Sequence, residues 1–192
     1  MRDLSACRQA TVHLNGKAVL LLPEFELTDF PTDTPISRQE AEGLLRTGHA
    51  DVAAAGFVEK SDGGKRFSSC LIVDGSNVHL VRKCAPHETE TGMFDGSGDE
   101  PGILPLSIGK TIVFLCSDLG RYCTDERFLE KCRCSGIQVA ILVSAWLHNF
   151  PKAVALMTEF ARTTGAGHCL IIDRFNGLVR ITTGPGGREE PK

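Results

Sequence analysis

The apolar residues of this chain fall in short unbroken runs, and each run stops at a turn or at a reactive side chain. Val19-Leu20-Leu21-Leu22 is closed by Pro23, Thr111-Ile112-Val113-Phe114-Leu115 by Cys116-Ser117-Asp118-Leu119-Gly120, and Leu170-Ile171-Ile172 by Asp173. An apolar run too short for a helix reads as a strand buried on both faces, so its sheet must be covered on both sides. Ile137 to Ser144 is another such strand. Val52 to Lys60 and Arg66 to Val73 flank the turn-rich Ser61 to Lys65 as a hairpin, and Val78 to Arg82 follows a turn at Asp74-Gly75-Ser76-Asn77. Leu170 to Asp173 and Leu178 to Thr182 bracket Arg174 to Gly177 as a last hairpin.

Helices are expected between these strands. Asp3 to Leu14 ends at Asn15-Gly16, a C-cap signal, and Ser37 to Thr47 opens with Ser37 and Glu40 in capping-box spacing. Asp125 to Cys134 and Lys152 to Thr163 complete the set. Strands that both alternate with helices and pair as hairpins predict a mixed, layered α/β fold. Cys84 to Leu106, rich in Pro, Gly and acids, reads as a long loop of the kind that carries function.

Composition narrows the function classes. With 192 residues, 42% of them hydrophobic, the chain suits one globular domain with a real core. A net charge of −3 without a Lys/Arg block argues against a nucleic-acid binder. No apolar run approaches the ~20 residues of a membrane span. The start, Met-Arg-Asp-Leu-Ser-Ala-Cys-Arg, lacks the apolar stretch of a signal peptide, so eight cysteines read as reduced thiols of a cytoplasmic protein. Gly184 to Lys192 reads as a disordered tail behind a single domain over 1–183.

Three reactive groups stand where strands stop. Cys116 would present its thiol at the rim of a sheet, beside backbone N–H groups free to hold an oxyanion. Glu24 follows a buried strand, where burial raises a carboxyl pKa toward that of a working acid–base group. Lys83 closes the Val78 strand and can meet developing negative charge. Each group also has an ordinary reading, as core thiol, loop carboxylate or solvated strand end.

Taken in order, the motifs resemble those of the nitrilase, or carbon–nitrogen hydrolase, superfamily. Leu22-Pro23-Glu24-Phe25-Glu26-Leu27-Thr28-Asp29-Phe30 is similar to its first motif, Val81-Arg82-Lys83 to its second, and Gly109 to Leu119 around Cys116 to its third. Glu90 with Phe94 matches the family's second glutamate and its aromatic, and Gly167-His168-Cys169-Leu170-Ile171-Ile172-Asp173 resembles the closing hairpin. The resemblance implies an αββα sandwich, four-layered on dimerisation. It also implies a Glu24–Lys83–Cys116 triad supported by Glu90, acting without metal or organic cofactor on a small-molecule amide, ureido or nitrile substrate. Ser117 would supply an oxyanion N–H, and Phe94 and Trp146 would line the pocket.

Two departures qualify that reading. Ser117 stands where the family places an aromatic, so the resemblance does not carry a substrate over. The chain also looks short at its N-terminus and before the last hairpin, which predicts a homo-oligomer or a larger parent protein, and admits an inactive structural or regulatory module as the alternative function. Cys123, Cys132, Cys134 and His148 lack the paired knuckle spacing of a zinc site. His87 and His168 read as loop and hairpin residues.

Overall fold

The computed structural model describes Leu4 and residues 7–28, 34–90, 92–145 and 149–183. One sheet holds β1 (Ala10–Leu14), β2 (Lys17–Leu22), β3 (Val52–Lys60), β4 (Arg66–Asp74) and β5 (Asn77–Arg82), in that spatial order. The other runs β10 (Gly177–Thr182), β9 (His168–Asp173), β8 (Val139–Ser144), β7 (Gly109–Leu115) and β6 (Ile103–Leu106). Helix α1 (Arg38–Arg46) covers the first sheet. Helices α2 (Asp118–Tyr122), α3 (Glu126–Ser135) and α4 (Phe150–Thr164) cover the second. The result is an αββα sandwich whose four layers all lie within one chain.

The short apolar runs become strands sealed on both faces. On the first sheet, Val19, Leu21, Ala54 and Ile72 face inward to meet Val113, Leu115, Ile141 and Leu170 of the second. The alternate residues face outward: Leu20, Leu22, Ala55 and Leu71 pack on Ala41 and Leu45 of α1. Across the molecule, Phe114 meets Phe160 edge-on at 5.3 Å between centroids. Period-two alternation thus feeds two cores from each sheet. Ser37 caps α1 as expected, its hydroxyl accepting from the Glu40 N–H while the Glu40 carboxylate accepts from the Ser37 N–H. Asp125 caps α3 and Gly136 ends it in the left-handed region.

Three expectations are corrected. The helix expected over Asp3 to Leu14 is absent from the described part of that segment, where Ala10–Leu14 forms β1, antiparallel to β2. Asn15 and Gly16 have φ of +52° and +75°, the conformation of a tight hairpin turn, and Asn-Gly serves that turn as readily as it ends a helix. The loop from Cys84 to Leu106 contains a 3-10 turn at Glu88–Glu90 and closes in β6, an edge strand that tolerates Pro105. The turn after Cys116 winds at once into α2. The tail from residue 184 lies outside the described residues.

At one end the sheets are clipped together: Asp74 accepts from the Ser107 N–H and hydroxyl at 2.7 and 2.6 Å, and Asn15 donates to the Ile108 carbonyl at 2.7 Å. At the other end stand the carboxyl ends of the parallel pair β2–β3 and of the parallel strands β7, β8 and β9. There β3 lies so close to the chain after β2 that a Cβ on Gly56 would sit 2.5 Å from the Glu24 Cα. Gly56→Ala is therefore expected to lower stability by roughly 1–3 kcal/mol through overpacking and to displace Glu24, read by urea unfolding beside the Cys116 alkylation rate. An unchanged midpoint would show that this approach is slack.

Candidate active site

Glu24, Lys83 and Cys116 each follow a strand, β2, β5 and β7 respectively. Pro23 ends β2, and a tight turn follows, with the Glu26 N–H on the Pro23 carbonyl and Phe25 at φ +63°. Lys83 extends the ladder beyond β5, its N–H donating to the Ser68 carbonyl at 2.8 Å, and its carbonyl accepts from Gly98 at 2.7 Å. The Cys116 N–H donates to the Val143 carbonyl at 3.0 Å, one step past β7. Cys116 itself is left-handed at φ +44°, a conformation that β-carbon residues rarely adopt away from functional turns. Strand, strained residue and helix together form an elbow that lifts the thiol to the rim.

The structure brings these groups together. The Lys83 ammonium donates to Glu24 Oε1 at 2.9 Å and to Glu90 Oε1 at 2.6 Å. Glu24 Oε1 also accepts from the Ser68 hydroxyl at 3.1 Å, and Glu90 Oε2 from the His87 N–H at 2.7 Å. Glu24 and Lys83 are each 1% exposed and Glu90 is buried, whereas Cys116 is half-buried.

Electrostatics follow from this packing. Burial pushes the Glu24 carboxyl up; Lys83 pulls it back and Glu90 pushes it further. Burial alone would lower the Lys83 ammonium, but Glu24, Cys116 and Glu90 overcome it and hold the charge in place. Burial and the Glu24 charge push the Cys116 thiol up, against Lys83 and an N–H bond from Ala145. At neutral pH the resting sulphur is therefore a thiol, not a thiolate.

Around this centre the other expected residues divide. Phe94 stacks on Phe25 with centroids 6.1 Å apart, which ties the long loop to the turn that carries Glu24. Ser117 starts α2, where an N–H has no acceptor within the helix, and its hydroxyl donates to the Ala85 carbonyl. Trp146 and His148 lie outside the described residues. Cys132 is buried and Cys134 exposed on opposite faces of α3, and among the described residues no three His, Cys, Asp or Glu side chains are placed to hold a metal. The eight cysteines are free thiols. No described helix is long and apolar enough to cross a membrane.

Two participants are absent from the sequence reading of the site. Ser68 is a polar residue on the face of β4 whose next members, Cys70 and Ile72, enter the core between the sheets, a signal visible in the run Ser68-Ser69-Cys70-Leu71-Ile72. Asp118, 0% exposed, accepts from the Ala85 N–H at 2.7 Å and from the Cys84 N–H at 3.0 and 3.2 Å. Burial pushes its carboxyl up to about 6 despite those bonds.

This is the carbon–nitrogen hydrolase fold. Nit3 of Saccharomyces cerevisiae, of branch 10 of the nitrilase superfamily, superposes with a TM-score of 0.66 at 14% identity over 90% of this chain and 73% of its own. A Nesterenkonia amidase of the same superfamily, as its C145A mutant, gives 0.65 at 16% identity over 91% and 74%. XC1258 from Xanthomonas campestris, a CN-hydrolase superfamily protein with an arsenic adduct in its active site, gives 0.58 at 13% identity over 90% and 74%. No protein-family model and no curated protein matches the chain. The likeness is thus one of fold, and this chain spans about three quarters of the length of these three proteins.

The Asp118 environment sets a pH dependence. Its carboxyl titrates near 6 in the fold against 3.8 in the ordinary state, so the native chain binds this proton more tightly than the unfolded one. Its contribution to stability therefore falls as pH rises from 4 through 6. Asp118→Asn cannot titrate, so the stability difference between native and variant should move in favour of the variant by about 2 kcal/mol between pH 4 and pH 7. Urea unfolding of both chains at both pH values reads this, and a difference independent of pH would refute it.

Proposed function

We propose that the chain is a cysteine-dependent hydrolase of non-peptide carbon–nitrogen bonds in small amides, ureido compounds or nitriles. The observation that carries this reading is the Lys83 ammonium held between Glu24 and Glu90, with the elbow thiol of Cys116 within its field. An ion triplet buried only for structure would not need a nucleophile in a strained conformation beside it.

For an amide the steps follow from the contacts. Glu24, whose described bonds both end on Oε1, takes the Cys116 proton as the sulphur attacks the carbonyl carbon. The carbonyl π-electrons move to oxygen, and Lys83 with the Ser117 N–H stabilises that oxyanion. Collapse breaks the C–N bond, and the proton held by Glu24 leaves with the amine. Water then gives a proton to Glu24 and attacks the thioester, and the acid departs as the proton returns to sulphur. Glu90 holds Lys83 throughout and supports the long loop through His87. We further place the chain in a reducing compartment such as the cytoplasm, on its eight free thiols, and as part of an oligomer or a larger assembly, on its reduced length.

The test is a panel of small amides, ureido compounds and nitriles, with intact-protein mass spectrometry and release of ammonia or amine as readouts. A productive substrate should add an acyl mass at Cys116, absent in Cys116→Ala. Glu24→Gln should slow turnover by about 10²–10⁴-fold. Turnover that persists in Cys116→Ala would overturn the assignment.

A further inference from the structure

The elbow that carries Cys116 and the strand end that carries Lys83 belong to different sheets. Neither sheet's ladder fixes one against the other, because β5 and β7 share no hydrogen bonds. Among the described residues, two side chains on the elbow join these segments through the backbone, beside a side-chain hydrogen bond between Cys84 and Tyr122 of α2. Asp118 binds the N–H groups of both residues that follow Lys83, and Ser117 donates its hydroxyl to the carbonyl of the second.

We propose that Asp118 is a positioning residue: by holding the Cys84 and Ala85 N–H groups it fixes the Lys83 ammonium at its working distance from the Cys116 sulphur. The proposal rests on the reading of Lys83 and Cys116 as working partners. Three features of the geometry support it. The Asp118 backbone is itself fixed, because Cys116 is locked at φ +44° with its N–H on Val143. The carboxylate is fully buried and spends its described bonds on backbone donors, a costly arrangement where space-filling alone would be served by an apolar side chain. Those donors immediately follow Lys83 in sequence, so the clamp acts on the lysine with no intervening slack.

Length and charge make separable demands on such a clamp. Asn has the length of Asp, and its single oxygen can take the place of Oδ1, which already accepts from both N–H groups at 2.7 and 3.0 Å. Glu keeps the charge but is one methylene too long. A clamp should tolerate Asn and fail with Glu, whereas a charge effect should do the reverse.

The experiment measures the rate at which iodoacetamide alkylates Cys116 in the full chain, resolved by peptide mass spectrometry. Lys83→Met is compared with Lys83 in the native, Asp118→Asn and Asp118→Glu backgrounds, each confirmed folded by near-UV circular dichroism. Lys83→Met should slow alkylation about tenfold in the native and Asp118→Asn backgrounds, and less than threefold in Asp118→Glu, where lysine and thiol are no longer in register. A purely structural Asp118 would lower stability and leave the lysine effect equal in all three, which overturns the proposal. Loss of coupling in Asn with retention in Glu also overturns it, in favour of a charge effect. If Lys83→Met has no effect in the native chain, the partnership of lysine and thiol is itself wrong and the clamp falls with it.

Discussion

One buried cation organises this end of the molecule. An ammonium taken out of water is tolerated only where opposite charge and hydrogen bonds replace its hydration, and removing one partner of a buried pair typically costs about 3–5 kcal/mol. Lys83 obtains one partner from a distant piece of chain, Glu24 after β2, and the other from the loop that follows β5 directly, Glu90. The turn at Pro23 to Thr28 and the 3-10 turn at Glu88–Glu90 are thereby required to end where they do. Gly56 leaves room for Glu24, Ser68 shares its oxygen, and Phe94 on Phe25 closes the loop over the turn.

The same balance bears on the proposed chemistry. At rest one positive charge faces two carboxylates and a neutral thiol. Proton transfer from Cys116 neutralises Glu24, and attack places a new negative charge on the substrate oxygen. The total charge around Lys83 is unchanged; it only moves from one neighbour of the ammonium to another. A site whose dipoles and charges already suit the product of that shift needs little reorganisation, which is the main electrostatic source of rate. Raising the thiol pKa through burial fits this scheme, because a resting thiolate would be a third anion beside one lysine.

How much of this could be read from residues alone depends on the range of the interaction. The buried strands, the Ser37–Glu40 capping box and the order of Glu24, Lys83 and Cys116 are local patterns, and the first two stand where the sequence placed them. Asn15-Gly16 was ambiguous because one dipeptide serves two kinds of chain reversal; the alternation of exposed Thr11 and His13 with buried Val12 and Leu14 was the signal for a strand. β6 was hidden by Pro105, which an edge strand accepts. The bonds of Asp118 to Cys84 and Ala85 join residues more than thirty positions apart across two sheets, and no periodicity encodes them.

That cross-sheet contact matters most because Lys83 stands at the end of an edge strand. Among the described residues β5 pairs with β4 alone, so the backbone beyond Arg82 has a ladder on one side only. Edge strands fray first, and a lysine at such a point would sample many positions if pairing were its only restraint. Here the Lys83 N–H continues the ladder to Ser68, its carbonyl is held by Gly98, and the next two residues are held by Asp118. Gly98 approaches so closely that a Cβ there would sit 2.4 Å from the Arg82 carbonyl oxygen. The long loop is thus packed onto the strand end, and the edge acquires from loop and elbow the restraint that a neighbouring strand would otherwise supply. The rigidity of this end of the molecule therefore comes from close fastenings between loop, elbow and strand end as much as from the sheet ladders.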